Sequence, residues 1–246
     1  MYNIYKGMAI VISLVVIFIF YYHFHIKLNY PLSSKPSDWV DFSDYIGGTL
    51  GTTFSFLSFI FLLHSLKLQN IANKELHKET KVNRKNEKFR HFESHFFNLL
   101  EAQRSAFEKF KFQLYDDDGT INEYIGVEAV VAIENCIEEA RDNGSDDAEI
   151  KEFLLIVDES EKIYNTMRIF NNMTKMISTK LSEENGFTYD DRKSQLETLI
   201  TFTEFSQLRL VLISMQFMEL PPARSLRNNN EFISLLTELG LNLDPY

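Results

Sequence analysis

The chain of 246 residues is 45% hydrophobic and contains 22 Phe but only nine Gly and five Pro. So few turn-forming residues favour an all-α protein over a β-sandwich or a β-barrel. The single cysteine, Cys136, excludes an intramolecular disulfide and cannot form a structural zinc site alone. The net charge of −10 is uneven, because residues 67–90 carry eight basic and three acidic side chains whereas residues 91–246 carry 14 and 29. We therefore expect residues 67–90 to bind negatively charged partners and residues 91–246 to bind positively charged ones.

The first apolar segment, MAIVISLVVIFIFYYHFHI at residues 8–26, contains no Asp, Glu, Lys or Arg. A helix of this length spans about 28 Å, close to the ~30 Å hydrocarbon core of a bilayer. A cleaved signal peptide is the competing interpretation, but its apolar region is shorter, and no small-x-small cleavage site follows Ile26. The segment is therefore predicted to be an uncleaved transmembrane helix.

A second apolar segment, YIGGTLGTTFSFLSFIFLLHSL, occupies residues 45–66, and its first half is rich in Gly, Thr and Ser. In lipid, small residues let helix backbones approach closely, and hydroxyl groups form hydrogen bonds. The residues predicted to pack against another helix are Gly47, Gly48, Gly51, Thr52, Ser55 and Ser58. That other helix is either the first helix of the same chain or, in a homo-oligomer, a second copy.

The orientation in the membrane follows from the distribution of positive charge. The connection at residues 27–44 contains two Lys, whereas eight Lys or Arg follow Leu66 within 24 positions. Because positively charged flanks stay in the cytoplasm, the connection is predicted to face outward and both termini to be cytoplasmic.

The basic segment, residues 67–90, is polar nearly all round, and no Gly or Pro interrupts the chain from Thr52 through Asp118. The second membrane helix is therefore predicted to continue into the cytoplasm. The residues predicted to contact lipid headgroups or a partner are Lys67, Lys74, Lys78, Lys81, Arg84, Lys85 and Lys88. Each contributes ~1 kcal/mol beside an anionic leaflet. Binding of nucleic-acid phosphates and a plain topology signal are the alternatives.

Residues 91–246 are predicted to form an acidic cytoplasmic helical bundle. Apolar side chains recur at steps of three or four residues from Phe89 to Leu114, which predicts an amphipathic helix. The residues predicted to pack against partner helices are Phe92, Phe96, Phe97, Leu99 and Leu100. Further helices are predicted at residues 121–141, 147–181, 189–218 and 230–239, without any strand-turn-strand pattern.

Turn and cap residues separate these helices. Asp116-Asp117-Asp118-Gly119 is predicted to be a turn and not an EF-hand loop, whose twelfth position requires Glu where this chain has Val127. Ser145 or Asp146 is predicted to cap the helix at 147–181. Thr188 with Asp191 resembles a capping box in front of the next helix.

The sequence offers little support for an enzyme. His91 and His95 are one helical turn apart, but the zincin pattern needs Glu directly after the first His, and Phe92 stands there. No Ser-His-Asp or Cys-His arrangement has a local signature, and the glycines at 47, 48 and 51 lack the lysine of a phosphate-binding loop. We predict no catalytic residue, no metal site and no cofactor.

Two stretches of the sequence resemble the phage abortive infection protein family. They are DYIGGTLGTTFSFLSFIFLLHSLKLQNIANKEL, from Asp44 to Leu76, and FESHFFNLLEAQ, from Phe92 to Gln103. A weaker likeness covers Phe202 to Glu219, where this chain departs from the family by reading LVLISMQFMEL. The resemblance covers about 60 residues well, and the rest of the chain matches only in outline.

This resemblance implies a two-helix membrane effector of bacterial anti-phage defence, located in the inner membrane. Similar effectors are encoded beside retrons, and the implied partner is a retron reverse transcriptase with its RNA–DNA molecule, which keeps the effector silent. Released by phage interference, the effector would damage the inner membrane. Two other functions remain open: a passive anchor or signalling adaptor that positions a protein-binding domain, and a membrane-attached hydrolase.

Overall fold

The computed structural model describes residues 2–29, 31, 33–115 and 120–246. It divides into two compact units, Met1–Thr80 and Lys81–Tyr246, which we call the N-terminal unit and the C-terminal unit. The described residues are mostly helical, with one two-stranded sheet. The predicted helical class is therefore confirmed in outline, and the sheet is the exception.

The N-terminal unit begins with α1, Tyr2–Tyr21, which continues as a π-helical segment, Tyr22–Lys27. After a connection, α2 spans Pro36–Ile46, a second π-helical segment spans Gly47–Gly51, and α3 follows at Thr52–Phe107.

Two helical stretches, Gly7–Lys27 and Pro36–Phe107, are long and apolar enough to cross a membrane, judged by length and composition. The second helix runs on past Leu66, as the absence of Gly and Pro predicts, and ends at Phe107. The helix begins at Pro36, ahead of the apolar segment that is predicted to cross the membrane from residue 45. Pro36 occupies the first helical position, where its fixed φ suits a helix and its missing N–H costs nothing.

The C-terminal unit contains nearly half of α3, from Lys81 onward, a β-hairpin and seven further α-helices among its described residues. The strands are β1, Lys111–Tyr115, and β2, Ile121–Ile125. The helices are α4 Val127–Asp142, α5 Asp147–Val157, α6 Lys162–Lys180, α7 Tyr189–Phe202, α8 Phe205–Phe217, α9 Pro221–Arg227 and α10 Asn230–Glu238.

The hairpin corrects the prediction of a helix reaching Leu114 and of a chain without a strand-turn-strand pattern. β1 and β2 pair antiparallel with Phe112 opposite Tyr124, and their rings stack at 6.5 Å between centroids. Phe112 is buried and its neighbours in β1 are exposed, which is the period-two alternation of a half-buried strand. The predicted turn at residues 116–119 lies outside the described residues.

A glycine explains why the helix predicted to start at residue 121 begins later. Gly126 has φ 57° and ψ −117°, a conformation that side-chain-bearing residues rarely adopt, and it is the N-cap of α4. The backbone turns there from β2 into α4, and the Gly126 amide donates to the Phe110 carbonyl at 2.8 Å.

The helix predicted at 147–181 is divided in two by a buried aspartate. Asp158 lies in a 3₁₀ turn, and its carboxylate accepts hydrogen bonds from the amides of Ile163 (2.7 Å) and Tyr164 (3.1 Å). Glu161 between the two helices has φ 56°. Asp158 thus serves as the N-terminal cap of α6, since the side chain of the formal cap residue, Glu161, makes no cap bond.

The helix predicted at 189–218 is likewise two helices, α7 and α8, which meet at extended backbone at Thr203. The Thr203 hydroxyl donates to the Leu199 carbonyl at 2.7 Å and accepts from Gln103 Nε2 at 3.1 Å, so it ties this corner to α3. This pair is buried, and Gln103 therefore belongs to the core although it is polar.

Both predicted caps are confirmed. Asp146 accepts from the amides of Ala148 and Glu149 in a full capping box at the start of α5. Thr188 and Asp191 form the second box, at the start of α7. The predicted terminal helix at 230–239 corresponds to α10.

Candidate membrane-helix packing site

Bulky side chains form the contact between the two apolar helices of the N-terminal unit. The Phe20 ring of α1 contacts the rings of Phe42 (4.8 Å) and Tyr45 (5.2 Å) of α2. The half-buried side chains of the second helix recur at steps of three or four, at Phe42, Ile46, Leu50, Phe54 and Leu57. This row is the face that packs within the chain.

The small residues occupy other faces of the same helix. Gly47, Gly48, Gly51, Thr52, Ser55 and Ser58 are all exposed. A Cβ atom added at any of the three glycines would meet nothing within 4 Å, and only Ser58 borders the cleft between α1 and α3, beside Leu57. The Gly47–Gly51 backbone lies near α1, but the positions that a glycine side chain would occupy are open in the single chain.

Threonine hydroxyls bond to the helix backbone around the π-helical segment at Gly47–Gly51. Thr49 donates to the Tyr45 carbonyl, Thr52 to the Gly48 carbonyl, and Thr53 to the Thr49 carbonyl at 2.7 Å. In hydrocarbon a polar group without a partner costs several kcal/mol. The helix backbone thus supplies an acceptor for each of these three hydroxyls.

Six of the seven predicted contact residues in the basic segment are exposed, and two of the seven also bind other residues of the C-terminal unit. Lys67, Lys74, Lys78, Lys81, Arg84 and Lys88 are exposed. Lys85 is half-buried in the C-terminal unit, where its Nζ lies 3.2 Å from Asp191 Oδ2 and 4.9 Å from the centre of the Phe187 ring. Lys88 Nζ donates to Asn185 Oδ1 at 3.0 Å. These two lysines hold α3 against the connection between α6 and α7.

The pKa of Asp191 is lowered, first by the hydrogen bond from the Thr188 amide and then by Lys85. The ionised carboxylate therefore stabilises both the capping box and the attachment of α3.

The Phe and Leu residues of α3 that were predicted to pack against partner helices mostly face the chain's own core. Phe92 and Phe96 are buried with their rings stacked at 5.4 Å, and Leu99 and Leu100 are half-buried against the same core. Phe97 alone of this set is largely exposed, at 49%, and its ring meets Phe202 edge-on at 6.4 Å.

A groove between the β-hairpin and α4 was not predicted. Its walls are formed by Leu114, Tyr124, Val127, Val131, Ala132 and Cys136, with Glu128, Asn135 and Glu139 beside them. One sequence signal does mark it: α4 carries apolar residues on two faces, one buried through Ile133 and Ile137 and one exposed through Val127 and Val131. A helix needs only one apolar face to pack on a single core.

An ion pair between a buried glutamate and a partly exposed arginine lies on another side of α4. Arg209 Nη2 is 3.0 Å from Glu134 Oε2, and the exposed fraction of the Glu134 side chain is only 6%. Burial raises the pKa of Glu134, whereas hydrogen bonding to Tyr246 and the charge of Arg209 act in the opposite direction. The pair joins α4 to α8, and it does not line the groove.

His91 and His95 are both exposed on α3. Within the described residues, no group of three or more His, Cys, Asp or Glu side chains is placed to hold a metal ion. Comparison with protein-family models, with curated proteins and with solved structures found no match for this chain.

Proposed function

We propose that this chain is a membrane effector of bacterial anti-phage defence, which damages the inner membrane when a partner complex releases it. The defence role and the partner, a retron reverse transcriptase with its RNA–DNA, rest on the resemblance of Asp44–Leu76 and Phe92–Gln103 to the phage abortive infection family. The membrane action rests on one observation: the small-residue face around Gly47 and Gly51 is open, because bulky residues make the contact with α1.

An open face of small residues suits self-association in lipid. Lipid tails are as apolar as leucine, so bulky faces gain little by leaving them, whereas small residues allow close backbone contact between helices. Gly47, Gly51 and Ser55 follow at four-residue steps, and Ser55 adds a hydroxyl to the face. Homo-oligomers built on this face would place Gly, Thr and Ser side chains together within the membrane.

The proposed topology has both termini in the cytoplasm, as the positive charge after Leu66 indicates. Lys67, Lys74, Lys78 and Lys81 are exposed and suit anionic lipid headgroups at ~1 kcal/mol each. Lys85 is assigned instead to the attachment of α3 within the C-terminal unit.

The acidic C-terminal unit is the proposed target of the restraining partner. Residues 81–246 carry 30 acidic against 19 basic side chains, a net charge of −11. This charge favours a basic protein such as a nucleic-acid-binding enzyme and opposes direct contact with RNA or DNA. Nucleic acid would then associate only through the protein partner.

The test is expression of the full chain alone in bacteria, with growth and membrane potential as readouts. Gly47→Leu combined with Gly51→Leu should abolish the loss of potential, because leucine side chains keep helix backbones apart. The variant should insert and fold normally, since both positions face open space in the single chain. Gly7→Leu, at a site that is equally open in α1, is the matched control and should remain toxic.

Normal growth and potential at high expression of the wild-type chain would contradict the proposal. Replacing residues 1–66 with an unrelated two-helix anchor distinguishes a passive anchor or adaptor from a membrane effector. An adaptor keeps its function after this exchange, whereas an effector loses it.

A further inference from the structure

We infer that the groove between the β-hairpin and α4 binds a short basic amphipathic helix of a partner protein. Val127 and Val131 are 45% and 39% exposed, and with Leu114 and Tyr124 of the hairpin they form an apolar cleft that none of the described residues fills. The inference deepens the proposed function, because it names the surface and the type of element through which a restraining partner would bind.

The α4 wall of the groove is long enough to lie along a short helix. This wall runs from Val127 to Glu139, a rise of about 18 Å at 1.5 Å per residue, which matches a partner helix of about 12 residues. The walls are side chains from one face of α4 and one face of the β-hairpin, and such grooves bind the apolar face of an amphipathic helix.

The charge around the groove selects a basic partner. Glu128 and Glu139 lie at opposite ends of its α4 wall, and its lining contains no Lys or Arg. Residues 111–142, which include the hairpin and α4, carry nine acidic and two basic side chains, a net charge of −7. A helix with leucine-like residues on one face and Lys or Arg at its flanks complements both the cleft and its rim.

Cys136 provides a direct probe, because it lines the groove and is the only cysteine in the chain. The full-length protein is placed in phosphatidylcholine nanodiscs, whose zwitterionic surface does not attract a basic peptide by charge. The rate at which a fluorescent maleimide modifies Cys136 is then measured with and without a 12-residue Leu/Lys peptide that forms an amphipathic helix.

At a peptide concentration about ten times its Kd, roughly nine-tenths of the grooves are filled, so the labelling rate should fall about tenfold. A peptide of identical composition without a single apolar face, and a Leu/Glu peptide with the same pattern, should leave the rate unchanged. An unchanged rate with the Leu/Lys peptide, or equal protection by either control, overturns the inference.

Two sets of variants locate the binding site. Val131→Arg introduces a positive charge into the cleft and should weaken peptide binding by about tenfold or more, whereas Leu155→Arg, at an exposed site on α5, should not. Glu128→Lys with Glu139→Lys changes only exposed side chains and should reverse the preference toward the Leu/Glu peptide. A retained preference for Leu/Lys in that double variant also overturns the inference. Toxicity is not a readout here, so failure of this test and failure of the membrane proposal are separate results.

Discussion

Replacing Asp158 by alanine should destabilise the C-terminal unit by about 2 kcal/mol. The substitution removes the acceptor of two amides at the start of α6, and Ile163 is fully buried, so its amide loses a partner that water cannot replace. An unsatisfied buried N–H costs about 1–3 kcal/mol, and a lost helix cap costs about 0.5–2 kcal/mol. Part of this loss is offset, because burial raises the pKa of Asp158 and thus makes its charged form costly.

The assay is urea unfolding of the full-length protein in detergent, followed by the helical circular dichroism signal. Apolar membrane helices keep their internal hydrogen bonds in detergent, so the urea-dependent transition reports the C-terminal unit. With a slope of about 2 kcal/mol per molar urea, Asp158→Ala should lower the midpoint by about 1 M.

Two matched variants define the mechanism. Asp158→Asn keeps the Oδ1 acceptor that both amides use and removes the charge, so it should stay within about 1 kcal/mol of the wild type. Glu159→Ala, at the exposed neighbouring residue, should stay within about 0.5 kcal/mol. If Asp158→Ala unfolds at the same urea concentration as Glu159→Ala, the assignment of Asp158 as the cap of α6 is wrong.

Two further predictions concern the C-terminal unit. Hydrogen bonds and Lys85 lower the folded pKa of Asp191 below its ordinary 3.8, so its contribution to stability is present above that value and is lost as the pH falls through the folded pKa. Asp191→Asn should therefore weaken the loss of stability at acid pH, measured as the free energy of unfolding against pH. An unchanged loss at acid pH would contradict the pairing with Lys85. Gly126→Ala should cost about 1–3 kcal/mol because of the positive φ, whereas Gly47→Ala should leave the urea midpoint unchanged.

The sequence was most informative where a single local interaction decides the structure. The capping boxes at Asp146 and Thr188 could be predicted because cap residues act over three positions of contiguous chain. The long helix from Thr52 was predictable because helix breakers are absent from it.

The predictions failed where a distant contact overrides local propensity. A buried carboxylate at Asp158 looks in sequence like any acidic residue on an amphipathic helix, and only the fold turns it toward the amides of α6. Residues 111–115 fit both the helical stripe and a strand, and pairing with Ile121–Ile125 decides between them. The groove escaped prediction because an exposed apolar face on α4 becomes a cleft only when Tyr124 of β2 lies opposite it.

The π-helical segment at Gly47–Gly51 has a consequence for changes in chain length. A π turn holds about one residue more than an α turn, and each residue of an α-helix rotates the chain by 100°. Deletion of one residue in this segment would let it close as a regular α turn, and Phe54, Ser55 and the residues that follow in the N-terminal unit would keep their faces relative to α2, because the π turn holds its extra residue without adding the extra rotation. The same deletion in the regular part of α3 would instead rotate all that follows in that unit by about 100°. The π turn is therefore the place where this helix can lose a residue without exchanging its bulky face for its small-residue face.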